Sequence, residues 1–206
     1  MIDSWLISYV IVSISIILIP GQDMLFVLTQ SIASGNKAGI QTVLGSITGT
    51  FIHTFLAAGG LSIIFQHSII AFNILKIAGV VYLLYLAIQA FREKPKPIGV
   101  SADKTSDGNH FRKGILMNLS NPKVAIFFLT FLPQFVDPLR GHAGLQMLLF
   151  GFIFIIETLI IFTLISQFAS RLGAKVNGSS WFVKGLKYVK GTVFGSLGIK
   201  LLLSSR

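Results

Sequence analysis

Ile16-Ile17-Leu18-Ile19-Pro20-Gly21-Gln22-Asp23-Met24-Leu25-Phe26-Val27-Leu28 places an acid inside an apolar run. Trp5 to Ile19 carries no charge and neither does Met24 to Leu28, so Asp23 lies well within a stretch of membrane-crossing length. An ionisable group at that depth is expensive and is usually kept for function. Pro20 has no amide hydrogen and disfavours helix just before it, and Gly21 adds freedom. The helix should therefore break here, freeing carbonyls on one side and amides on the other. Asn121-Pro122-Lys123 repeats the arrangement with the opposite charge, inside the apolar segment Gly114 to Val136. Opposite charges beside helix-breaking prolines point to a binding site at membrane depth.

The rest of the chain has the same character. Of 206 residues, 53% are hydrophobic and 12% charged, and the mean hydropathy is +0.79, beyond what a soluble domain sustains. The chain reads as an all-α integral membrane protein, with lipids as its surroundings. A net charge of +10, from 17 Lys and Arg against 7 Asp and Glu, would suggest nucleic acid on a soluble protein. Here orientation across the bilayer explains it better, and no nucleic-acid partner is expected. The absence of cysteine excludes disulfides, thiolate metal sites and cysteine nucleophiles. No Lys or Arg precedes the first apolar run and no cleavage-site pattern ends it, so no removable signal peptide is expected.

A span needs about 20 mostly apolar residues. Six stretches qualify: Ser4 to Gln30, Gly39 to Phe65, Ile69 to Phe91, Gly114 to Val136, Ala143 to Phe168 and Val183 to Leu203, the last crowded at its start by Lys184, Lys187 and Lys190. Lys37 lies between the first two, six basic residues lie between the third and fourth, and five lie between or at the edge of the fifth and sixth. Those twelve should face the cytoplasm, against Arg140, Lys200 and Arg206 on the other side, which leaves both termini outside.

With three spans in each half, residues 1–91 and 114–206 would form two inverted three-helix repeats, with the first and fourth helices broken. The polar, turn-rich stretch 92–113 would be a cytoplasmic linker. Glycine spacing agrees faintly: Gly39 and Gly49 follow Pro20 at the intervals by which Gly141 and Gly151 follow Pro122. Inverted repeats built around discontinuous helices are a recurring transporter plan, with the site at their interface.

Several side chains are candidates for the chemistry. Half-helix amides and Lys123 would receive an anion, Asp23 a cation, and Asn118 and Asn121 can bond the exposed backbone at the second break. A zwitterion such as an amino acid needs both charges in one cavity. The alternative is a buried ion pair that only fixes packing. Glu157, in the middle of the fifth span, suits a site that loads and releases protons, or else stays protonated and bonded to a neighbouring helix. His53 shares a helical face with Gly45 and Gly49 and is either a proton relay or a packing residue.

Gly45-Ser46-Ile47-Thr48-Gly49 and Gly191-Thr192-Val193-Phe194-Gly195 both fit close helix contact, within the chain or across a homodimer face. His67, His110 and His142 are scattered without metal-ligand spacing. No phosphate-cradling loop or nucleotide fingerprint is present, so no cofactor is expected, and if the chain drives active transport ATP should not be the direct source.

With these residues assembled, the chain resembles the lysine exporter (LysE/RhtB) family. The resemblance is carried by Pro20-Gly21-Gln22-Asp23, by Gly79-Val80-Val81-Tyr82-Leu83, and above all by Asn121-Pro122-Lys123 followed by Phe127-Phe128 and Phe131-Leu132-Pro133-Gln134-Phe135. Gln22 stands where that family usually has a second proline. The resemblance implies a small bacterial inner-membrane exporter of amino acids or their derivatives, driven by protons, with Asp23, Asn121, Pro122 and Lys123 as motif positions. Together with the residues' own chemistry, the substrate-binding set expected is Asp23, Gln22, Asn118, Asn121 and Lys123, with the helix broken at Pro20, Gly21 and Pro122; Glu157 and His53, which the resemblance does not imply, are the candidates for proton coupling. The rival readings are a divalent-cation exporter, which Lys123 would oppose, a membrane-embedded enzyme without an evident nucleophile motif, and a structural membrane subunit.

Overall fold

A computed structural model describes residues 2–61, 69–92 and 109–172, together with 188, 192, 194–196, 198–199 and 201–203. Every regular element among them is helical. Helix α1 spans Ile2–Leu18 and α2 spans Gln22–Leu56, continuing through a π-turn at Ala57–Leu61. Helix α3 is Ile69–Arg92, α4 His110–Leu119 and α5 Pro122–Ile126. The chain then runs through a π-turn at Phe127–Phe131 and short 3-10 turns to α6, Ala143–Leu172.

Both expected breaks are present. α1 stops at Leu18, and the extended Gly21 caps α2. α4 stops at Leu119, and Asn121 caps α5 with Pro122 in the first turn, where its missing amide hydrogen costs nothing. A third break was not foreseen: Gly35, at φ 83° and ψ 175°, divides α2 into two arms, in a backbone conformation that glycine alone takes readily.

Among the described residues, two helices are long and apolar enough to cross a membrane, Gln22–Gly60 and Ala143–Arg171. His110–Leu119 with Pro122–Phe135, bent by 50° at the break, makes a third if counted as one span. This count covers the described residues and does not establish the six expected spans, partly because the break at Pro20 leaves α1 only 17 residues, short of a span by itself. Trp5–Leu18 and Phe194–Leu203 are shorter apolar helices. Most of the 92–113 linker and much of the expected sixth span lie outside the described residues.

Helix α2 is the hub and packs chiefly on α4 and α6. At the α2–α4 crossing the backbones nearly touch: a Cβ on Gly45 would collide with the Phe111 carbonyl, and one on Gly114 with the Thr42 carbonyl. Aromatic rings fill the core between α1, the segment after α5, and α6, with Tyr9 and Phe150 centred 4.6 Å apart and Phe127 and Phe154 4.5 Å apart. The Tyr9 hydroxyl donates to the Phe150 carbonyl at 2.6 Å.

Outward surfaces are apolar as well. On α3, Ile70, Ile74, Ile77, Val81, Leu84 and Ile88 recur at helical spacing on the exposed side, while Val80, Leu83 and Ala87 face in. A helix apolar all round belongs in lipid. Buried hydroxyls bond back into their own helices, Ser13 to Tyr9, Thr42 to Ala38, Thr50 to Ser46, Thr54 to Thr50 and Thr158 to Phe154.

Candidate functional site

The two breaks are built to one plan. Each offers a cap, a first helical residue and a charged second residue: Gly21-Gln22-Asp23 opening α2, and Asn121-Pro122-Lys123 opening α5. The charged residues meet. Lys123 Nζ lies 3.5 Å from Asp23 Oδ1, and only 6% and 3% of the two side-chain surfaces are exposed.

The lysine is held more closely still by backbone. Its ammonium donates to the Ile19 carbonyl at 3.0 Å. That carbonyl belongs to the turn left open where Pro20 interrupts the first helix, so a cation there also meets the negative end of α1. Asp23 stands in the first turn of α2, where a carboxylate complements the helix dipole, and its Oδ1 also accepts from Met24 N at 2.8 Å. Asn121 Oδ1 accepts from Lys123 N at 3.0 Å and so fixes the start of α5. Gly21 walls the pair: a Cβ there would lie 3.0 Å from Asp23 Oδ1 and 3.1 Å from Lys123 Nζ.

The remaining candidates are distributed around this pair. Asn118, fully buried, packs against Gly49, and its Oδ1 lies 3.5 Å from the Thr50 hydroxyl. The side-chain amide nitrogens of Asn118 and Asn121 are buried without hydrogen-bond partners among the described residues. Each is a donor awaiting an acceptor. The Gln22 side chain is exposed, next to the buried Asp23.

The His53 ring stacks on Phe128 with centroids 5.9 Å apart, and its Nε2 is buried and unpartnered among the described residues. Both Glu157 carboxylate oxygens are buried, close to Ser13 and Tyr9 of α1. Ser13 precedes Ile19 by six residues, about 9 Å of helix rise along α1. Glu157 is not among the partners of the Asp23–Lys123 pair. Among the described residues, no three His, Cys, Asp or Glu are grouped as a metal site would require.

Sequence reasoning missed the Ile19 carbonyl as a partner of Lys123, because a backbone atom leaves no mark in composition. The signal available was its position just before Pro20. Gly45 and Gly49 are used in packing within the chain, while the second small-residue motif, beginning at Gly191, lies partly outside the described residues.

Residues 14–205 match the family model of the LysE type translocator. The chain belongs to that family. It is 32% identical over 203 residues to the homoserine/homoserine lactone efflux protein of Salmonella typhimurium, covering 98% of this chain and 97% of the relative. The protein of the same description from Salmonella typhi is 34% identical over 203 residues, with the same coverage. An uncharacterized membrane protein of Pseudomonas aeruginosa is 30% identical over 205 residues, covering 97% of this chain and 94% of the relative. No solved structure matches. This LysE type translocator is thus a multi-pass membrane transporter rather than an enzyme, which agrees with its outward apolar surfaces.

Proposed function

We propose that this translocator exports an amino acid or amino-acid derivative across the bacterial cytoplasmic membrane, and that the pair formed by Asp23 and Lys123 is its substrate site. The observation that carries the reading is the buried meeting of opposite charges at two helix breaks. A zwitterion can replace that pair charge for charge, its ammonium on Asp23 and its carboxylate on Lys123, so that no buried charge is left alone. Asn118 and Asn121 supply amide donors beside the same break, and Gln22 stands at the more exposed edge. The names of the Salmonella relatives make homoserine and its lactone the first compounds to assay.

In this reading the six spans form two inverted repeats with the twelve basic residues in the cytoplasm and both termini outside. Export is coupled to protons through Glu157, with His53 as the second candidate. Homodimer formation across the second small-residue motif belongs to the same reading. The test is export from cells or vesicles, with protein abundance measured alongside. Asp23→Asn and Lys123→Ala should each lower flux about tenfold or more, since losing one partner of a buried charge pair costs about 2–5 kcal/mol. Normal flux from both variants at normal abundance would remove the site from consideration. Glu157→Gln should abolish acceleration of export by a proton gradient while exchange of labelled for unlabelled substrate persists.

The cation-exporter reading is the weaker one. A divalent ion at Asp23 would face the Lys123 ammonium at the same oxygen.

A further inference from the structure

We propose that the Lys123 ammonium occupies the seat of the substrate's own ammonium, so that the translocator rests with a built-in stand-in for its ligand; this rests on the reading of Asp23 and Lys123 as the substrate site. The seat has three sides. The Ile19 carbonyl accepts at 3.0 Å, the Asp23 carboxylate lies at 3.5 Å, and Gly21 closes the third side with no side chain, leaving room that a Cβ would fill to within 3.1 Å of the nitrogen. A carbonyl at a helix end and a buried carboxylate together are a receptor for a compact cation with N–H donors.

A primary ammonium meets that description whether its carrier is a lysine side chain or a free α-amino compound. The lysine stem is a tether, and its tip can withdraw when another ammonium arrives. The ligand class follows from the seat. It is a primary ammonium, and a neighbouring carboxylate is an addition that gives the displaced Lys123 a partner. A zwitterion therefore exchanges readily, whereas a bare amine must leave Lys123 buried and unpaired and binds poorly.

The experiment measures equilibrium binding of labelled methylammonium to the purified full-length chain in nanodiscs. Lys123→Met vacates the seat and should bind methylammonium about tenfold or more tightly than the unsubstituted chain. Adding Asp23→Asn should abolish that gain. The chain has no cysteine, so Lys123→Cys introduces a single thiol. It too should bind methylammonium, and alkylating it with 2-bromoethylamine rebuilds an ammonium of lysine length and should return affinity to the unsubstituted level.

Should the variants not fold, acetic anhydride labelling of the unsubstituted chain decides the matter. Homoserine, a zwitterion whose carboxylate can partner the displaced Lys123, should raise acetylation at Lys123 severalfold as the tip is driven out, compared with its absence at equal ionic strength and with acetic anhydride in large excess over all amines. Equal methylammonium affinity in Lys123→Met and the unsubstituted chain, or unchanged Lys123 labelling, overturns the proposal. Methylammonium behaving as stated without any amino-acid export leaves the seat standing and removes the export reading. Export with no methylammonium effect does the reverse.

Discussion

Gly21 and Gly35 both sit at interruptions of a helix, for different physical reasons. Gly21 has φ −108°, which any residue adopts, so its demand is for space beside Lys123 and Asp23. Gly35 has φ 83° and nothing within 4 Å of where a Cβ would stand, so its demand is conformational. Gly35→Ala should therefore lower stability by about 1–3 kcal/mol, read as a drop in melting temperature. Gly21→Ala should leave melting nearly unchanged but push the lysine tip aside and reduce export severalfold; normal export would show that the tip has room to spare. Neutralising one member of the ion pair should cost about 3–5 kcal/mol, and Asp23→Asn with Lys123→Met together much less, while export stays lost. The residues of the site were legible because prolines and charges in an apolar run act locally. Gly35 was not, since glycine is common in membrane helices and its torsion depends on where the two arms must go.

At the scale of the element, the α2–α4 crossing sets the tightest steric limit. A methyl on Gly45 meets the Phe111 carbonyl, a backbone atom that cannot rotate away. Gly45→Ala should cost about 1–3 kcal/mol and reduce the yield of folded protein in size-exclusion profiles, with no special effect on substrate affinity. A profile like that of the unsubstituted chain would mean that the crossing relaxes. The small-residue spacing of Gly45 and Gly49 announced a close contact, but the partner, α4, is named only by the fold. The glycine repeat was a weaker guide. Gly39 is helical and packs against Ser31 and Ser166, whereas Gly141 has φ 67° in the turn before α6, so those two positions are not equivalent. Spacing records where glycines fall, not whether they serve packing or a turn.

For the whole molecule, the absence of cysteine allows orientation to be read one residue at a time. Lys37→Cys, at an exposed position beyond the first arm of α2, should resist a membrane-impermeant maleimide added to intact cells. Leu139→Cys, at a position 97% exposed between α5 and α6, should react. The opposite pattern would reverse the topology. That the chain is helical and membrane-bound was evident from its composition, because the bilayer imposes the same requirement on every span. How the spans pack was not, since many faces are apolar and periodicity does not select among them. The back-bonded hydroxyls of Ser13, Thr42, Thr50, Thr54 and Thr158 have a mechanical consequence. Each hydroxyl donates to a carbonyl of its own helix, so these polar core positions do not bolt one helix to the next through that donated bond. Neighbouring helices can slide past them without tearing that bond, and among the described residues resistance to motion concentrates in cross-links such as the ion pair at the breaks, the Lys123–Ile19 and Tyr9–Phe150 bonds and the Ser31–Ser166 contact.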